Sequence, residues 1–289
     1  WSNFERMEGL LAYLHLAAYF FVLAHVFKQR EWFWFLSVFV LAGFVENFYA
    51  LFQRLGYLAS PQGGFRVDGT IGNPTYLAAY LTFVFFFALF LWQNTRNFLL
   101  KIYYGAAAVF SLVIIYFTAT RGAAAGLLGA GVLALILYLI FEKKGPPFAA
   151  NFYKKISAVV LLVLILFPLS IWYFRDSSLV AKSPVLSRFA STSFSERTVA
   201  SRFLIWKLAF NGFKERALLG WGPENFNLVF AKHYQPGLYE QEPWFDRSHN
   251  IVFDWLINGG LVGFLAYFGL IFAAVFILWN LYLKGVFSL

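Results

Sequence analysis

The chain has 289 residues, of which 61% are hydrophobic, 22% aromatic and 13% charged. Soluble domains carry about 25% charged residues. Apolar runs long enough to cross a bilayer recur along this chain, which excludes a soluble globular fold and implies an integral membrane protein. The net charge of +9 does not point to nucleic acid, because no basic run occurs, and the absence of cysteine excludes disulfides and thiol chemistry.

Seven membrane helices are expected. The first covers about 8–27, and the polar turn KQRE at 28–31 leads to the second at about 32–52. A polar loop, QRLGYLASPQGGFRVDGTIGN, precedes the third at about 74–92. WQNTRN interrupts the pattern before the fourth at about 98–118, and Arg121 separates it from the fifth at about 122–141. The basic loop EKKGPPFAANFYKK leads to the sixth at about 156–174, and a long polar segment spans about 175–248. The seventh runs from about 249 to 283, with a break expected near its glycines. Each span has the ~20 residues that ~30 Å of hydrocarbon requires. The fold class is therefore all-α, a polytopic transmembrane helix bundle with a long, partly helical extracytoplasmic loop before the last span. Three parts follow: 1–174 with six membrane helices, 175–248 as the large outer loop, and 249–289 as the final helix. The chain opens WSNFERMEGL, without an initiator Met, and ends LYLKGVFSL; a piece of a longer protein is expected.

If the helices alternate, Lys28, Arg30, Arg96, Lys101, Lys143, Lys144, Lys154, Lys155 and Lys284 fall on one side, which the bias of short loops makes cytoplasmic. Arg54, Arg66, Asp68, Arg121, the arginines of the long loop and His249 then converge on the outer face.

Within that loop, SFSERTVASRFLIWKLAFNGFKERALL reads as a helix of about twenty residues. Ser193 and Glu196 have capping-box spacing. Val199, Phe203, Trp206, Phe210 and Phe213 form a stripe that would lie on the membrane surface, and GWGPEN ends the helix. Arg202, one turn before Trp206 and beside that stripe, stands out among its charges. The following HYQPGLYEQEPWFDRS holds Glu240, Glu242 and Asp246 with His233, but the spacing matches no helix-borne ligand pair, and no metal or cofactor is read from it.

Arg121, between two apolar spans, should face protein, water or an anion. The small residues of GAAAGLLGAG after it would let a helix pack closely. At the end of the loop, His249, Phe253, Leu256, Gly260 and Gly263 recur at helical spacing. The expectation is a histidine heading one helix face whose glycines admit a neighbouring helix, with Asn250, Asp254 and Asn258 as an adjacent polar stripe.

These residues resemble a known family. His249-Asn250, nine residues, then Gly260-Leu-Val-Gly263 is similar to the O-antigen ligase pattern H-[NSQ]-x9-G-x-x-[GTY]. GTIGNPTYLAAYL (69–81), TATRGAAAG (118–126) and SRFLIWKLAF with LLGWGPENF (201–226) resemble other hallmarks of the O-antigen ligase and polymerase superfamily, over about 65–285. The resemblance implies transfer of an oligo- or polysaccharide from undecaprenyl diphosphate to an acceptor hydroxyl on the outer face of the bacterial plasma membrane. It implies His249 as catalytic base and Arg121 and Arg202 as ligands of the donor diphosphate, with Arg66 and Arg247 in reserve and no metal. The acceptor stays open between lipid A core, a growing glycan and a protein side chain. A non-enzymatic transporter or binding protein for lipid-linked glycans is the alternative from another class.

Overall fold

The computed structural model describes residues 9–62, 64–141, 147–190, 197–239 and 244–284, with the backbone alone for 147–153 and 197–199. All regular structure among these residues is helical. The order is α1 (Leu10–Val26), α2 (Gln29–Arg54), α3 (Pro74–Asn94), α4 (Phe98–Thr118), α5 (Arg121–Phe141), α6 (Pro147–Tyr173), α7 (Ser178–Lys182), α8 (Pro184–Ala190), α9 (Arg197–Glu215), α10 (Phe226–Lys232), a 3-10 turn (Pro236–Leu238) and α11 (Ile251–Leu283). Six helices are long and apolar enough to cross a membrane, and α1 is a shorter apolar helix of 17 residues. At ~1.5 Å per residue α1 extends roughly 26 Å, the short limit for a span. The fold is a polytopic helical bundle.

The seven expected segments coincide with these helices to within a few residues, except that α6 begins at Pro147, inside the expected basic loop. Proline at the start of a helix sacrifices no hydrogen bond, which explains why Pro147 opens the helix instead of delaying it.

The chain divides into two compact units, residues 27–192 with α2–α8, and residues 1–26 and 193–288 with α1 and α9–α11. In the first, α2, α3 and α4 enclose a core of Val40, Leu77, Leu81, Val84, Tyr104 and Ile114. Side chains of modest size let these helices approach: a Cβ on Gly43 of α2 would collide with Val84 of α3. Two polar pairs cross this core. Asn47 Nδ2 donates to Ser111 Oγ at 3.0 Å, and the hydroxyls of Ser37 and Tyr104 are 2.8 Å apart. In a dry interior such groups must find one another.

The loop between α2 and α3 is held by α2 itself. Glu46, Ala50 and Gln53 lie on one buried face of that helix. Gln53 Nε2 donates to Asp68 Oδ1 at 2.8 Å, and its Oε1 accepts from Gly69 N at 2.9 Å. Glu46 accepts from Thr70 N and Oγ1 at 2.6 and 2.8 Å. Gly69, at φ +61°, leaves room for the Glu46 carboxylate that any Cβ would strike. Asn73 then caps α3 through Thr75 N at 2.8 Å, with Pro74 at its first position.

By contrast, no residue of α5 is fully buried. The close packing expected of its small residues is not found: a Cβ on Gly122, Gly126 or Gly129 would meet nothing within 4 Å, and only Gly131 faces a neighbour, Leu164 of α6, at 3.2 Å. In α11, Leu270 and Phe272 are 73% and 71% exposed, a surface suited to hydrocarbon rather than water.

Asp68 is fully buried and also accepts from Ser60 Oγ at 2.7 Å. Asp68→Ala should therefore destabilise the protein by about 1–3 kcal/mol, the cost of leaving Gln53 and Ser60 unsatisfied. Asp68→Asn, which keeps one acceptor oxygen, should cost less. Thermal unfolding in detergent checks this, and equal melting of Asp68→Ala and the parent would refute it.

Candidate active site

His249 lies just outside α11, whose N-cap is Asn250. It therefore does not share a helix face with Phe253 and Leu256, as its spacing suggests. Its backbone is left-handed, at φ +54°. That conformation costs a non-glycine residue energy and persists only where its surroundings impose it. Here three neighbours impose it by holding the preceding residue, Ser248. The buried Ser248 donates from N and Oγ to Asp254 Oδ1 at 2.8 and 2.6 Å. Its carbonyl accepts from Trp206 Nε1 at 3.2 Å. Its hydroxyl also accepts from Asn250 N at 3.3 Å, while Asn250 Oδ1 caps the helix through Val252 N at 3.0 Å. The result is an exposed imidazole whose ring meets Phe245 edge-on at 5.8 Å and makes no hydrogen bond among the described residues. Asp254 holds the turn and leaves the ring alone.

The helix behind this turn is broken. Gly260 has φ +60° and ψ −158°, so α11 is two helices across a kink. The amides and carbonyls freed by the break are paired with the segment after α9. Trp221 N donates to Ile257 O at 2.6 Å and Gly222 N to Asn258 O at 3.1 Å. Leu261 N donates to Ala217 O at 2.8 Å and Val262 N to Leu218 O at 3.2 Å. Gly260 thus admits a strand of backbone, not a neighbouring helix. A Cβ on it would collide with the Leu218 carbonyl, and one on Gly220 with the Ile257 carbonyl. Gly263 admits no other helix either, since its nearest neighbour would be the Trp255 ring at 3.7 Å.

Helix α9 packs against α11 through Ile205, Leu208 and Ala209, which form a core with Val229, Phe230, Leu238 and Ile257. Of the aromatic stripe expected on the membrane surface, Phe213 packs against this core. Phe203 and Phe210 are exposed, while Trp206 stacks on Phe253 at 6.2 Å. Branched aliphatic and small side chains win the seam because they let the helices approach. Ser193 and Glu196, the expected cap, lie outside the described residues, as do Glu240 and Glu242. Arg202 is exposed and makes no hydrogen bond or ion pair among the described residues, one turn before the Trp206 that anchors Ser248. Arg247 donates to the buried Glu224 at 2.6 Å, so its charge is partly spent within the protein. Glu215 ties α9 to α10: its carboxylate accepts from Lys232, which holds it below the usual carboxylate range, and lies 2.9 Å from His233 Nε2.

Arg66 and Arg121 belong to the other unit and gather at the α4–α5 junction. Ala119 there is left-handed at φ +48°, which turns the last carbonyls of α4 outward. Helix C-termini attract cations. Arg66 Nε donates to Thr118 O at 2.7 Å and its Nη2 to Thr120 Oγ1 at 3.1 Å. Arg188 Nε donates to Ala119 O at 3.1 Å, and Arg121 Nε to Arg188 O at 2.8 Å. Burial, and then the charge of Arg188, lower the pKa of Arg66. Three guanidinium groups thus share one corner. Arg188 is the member that sequence reading passes over, since nothing in PVLSRFA marks it. Beside them, Arg121 shares a cavity of about 470 Å3 with apolar residues of α4, α5, α6 and α8, among them Ile115, Leu128, Phe167 and Phe189.

The family model described as O-antigen ligase matches residues 106–268, more than half of the chain. The chain belongs to the O-antigen ligase family. No curated protein and no solved structure matches it. Membership makes it a multi-pass membrane protein of the superfamily of O-antigen ligase and polymerase-type glycosyltransferases. The O-antigen ligase match runs from within α4 to beyond the break in α11 and contains Arg121, Arg188, Arg202, Arg247, His249, Gly260 and Gly263. It is shorter than the resemblance over about 65–285: Arg66 and GTIGNPTYLAAYL precede it.

The two motif glycines should respond differently to substitution. Gly260→Ala forces a Cβ into positive φ against a carbonyl and should cost at least ~2 kcal/mol. Gly263→Ala should stay within about 0.5 kcal/mol. Detergent melting of the two variants tests the assignment, and a tolerated Gly260→Ala would contradict the backbone splice.

Proposed function

We propose that this protein transfers an oligo- or polysaccharide from undecaprenyl diphosphate to an acceptor hydroxyl at the outer face of the plasma membrane, with inversion at the anomeric carbon. The observation that carries the reading is the His249 turn. A histidine is held in an unfavourable backbone conformation by Ser248, Asp254 and Trp206, with its ring exposed and without a hydrogen-bonding partner among the described residues. Stored strain of that kind marks a residue placed for use, and a neutral imidazole near pH 7 is a suitable general base.

In the proposed step the acceptor oxygen attacks C1 of the donor sugar while His249 takes its proton. The bond from C1 to the diphosphate oxygen breaks, and undecaprenyl diphosphate leaves with the electron pair. That leaving group is already anionic and needs positive charge rather than a proton. Arginine suits it, because its planar fork binds phosphate in two-point fashion. Arg121 and Arg66 are candidates: burial and the Arg188 charge disfavour the Arg66 cation, which an anion would stabilise, and the apolar cavity beside Arg121 suits a polyprenyl chain. Arg202 is the candidate on the histidine's own unit, and Arg247 remains its reserve. The arginines can supply this electrostatic stabilisation without a metal. The basic residues of the short loops support an outward-facing site. Lipid A core, a growing glycan and a protein side chain all present the hydroxyl this chemistry needs.

His249→Ala in the full-length protein should lower transfer by about 10²–10⁴-fold, the usual contribution of a general base, with donor binding retained. Membranes supplied with an undecaprenyl-diphosphate-linked glycan, scored for transfer and for binding together, test this. Undiminished transfer removes His249 from the chemistry. Tight donor binding by the parent with no transfer to any acceptor would favour a transporter or binding protein instead.

A further inference from the structure

A second cavity, of about 210 Å3, lies along α11 and is lined by Tyr13, Glu224, Arg247, Ile251, Asp254, Trp255, Asn258 and Tyr267. At ~30 Å3 per water it holds about seven waters, comparable in bulk with a single sugar ring. It is unlike the cavity beside Arg121, because polar and apolar groups share its lining equally and several of the polar ones make no hydrogen bond. Among the described residues, the Asn258 carboxamide, the Trp255 indole N–H, the Tyr267 hydroxyl and Asp254 Oδ2 make no hydrogen bond. The Glu224–Arg247 pair supplies further acceptors and donors.

The break at Gly260 builds one wall. Trp255 and Tyr267 are twelve residues apart, roughly 18 Å along a straight helix, yet their rings stack with centroids at 4.5 Å. Only a sharply bent chain brings them together. The cavity therefore combines an aromatic pair with planar amide, carboxylate and guanidinium groups.

This is the chemistry of a saccharide. A pyranose carries hydroxyls that each donate and accept, matched by groups that do one or both, and its C–H faces pack on aromatic rings. A polyprenyl or acyl chain would fit poorly, since it would bury these polar groups unpaired. His249 lies two residues from each of two lining residues, Arg247 and Ile251.

We propose that this cavity is a saccharide subsite that binds one sugar ring of a glycan substrate, with Asn258, Asp254 and Tyr267 as hydrogen-bonding groups and Trp255 as an aromatic platform. The proposal rests on the transferase reading only for which sugar arrives there. Binding is measured without turnover, so the two fail separately.

The test uses the full-length protein in nanodiscs without donor. Saturation-transfer NMR is recorded with D-glucose, D-galactose and N-acetyl-D-glucosamine, comparing the parent with Asn258→Ala and Tyr267→Phe. At least one sugar should show saturation of its ring protons. Asn258→Ala should weaken it about tenfold and Tyr267→Phe about threefold, as the loss of two and of one hydrogen bond implies. Tyr267→Phe removes a single oxygen and keeps the stack, so it guards against a folding defect in the first variant. A short-chain polyprenyl diphosphate bearing one sugar then separates the sources. Displacement of the free sugar assigns the subsite to the donor, co-binding assigns it to the acceptor, and either upholds it. No saturation of any sugar by the parent, or saturation unchanged in both variants, overturns it.

Discussion

Backbone amides and carbonyls cannot be left unpaired in an apolar interior, and α11 breaks at Gly260 in a region where its own turns no longer satisfy them. The segment Ala217–Gly222 supplies what is missing, with two amides given to the upper helix and two carbonyls offered to the lower. The break is therefore a splice between two parts of the chain. It fixes where α9 ends and where the lower half of α11 begins. It also sets the direction of the short helix that carries the His249 turn. The stacking of Trp255 on Tyr267 and the polar cavity beside them follow from the same bend.

The arginine corner rests on a different device of the same economy. A left-handed residue at the end of α4 turns its carbonyls towards guanidinium groups from two other segments, the α2–α3 loop and α8. Carbonyls at a helix terminus orient Arg66 and Arg188 here. A carbonyl partner fixes where a guanidinium stands without cancelling its charge, as a carboxylate partner would.

Much of this was legible in the sequence, and what was not has physical reasons. The spans could be read because a bilayer needs long apolar runs whatever their partners. The break near the glycines was also readable, since Gly260 and Gly263 weaken a helix that is otherwise continuous. What fills the break was not, because hydrogen bonds between Ala217–Gly222 and α11 are made by backbone and leave little trace in side-chain type. Periodicity marks Phe203 and Phe210 as part of a stripe for the membrane surface, and both are exposed, but it does not show which side of α9 packs within the protein. In a membrane protein the large aromatic side can face outward while Ile205, Leu208 and Ala209 form the seam. The spacing of His249 was read as helical, yet Ser248 and Asp254 hold it one step outside the helix.

The splice also has a consequence for how far the α9 segment can be exchanged. Transplanting α9 and its following loop onto a relative, or deleting them to leave a bare bundle, would strand four backbone groups within α11. Helices α9 and α11 therefore form one heritable block. A chimera that respects the break must carry both sides of it, cutting the chain before α9 and after the lower half of α11, even though the polar loop invites a cut at its edges.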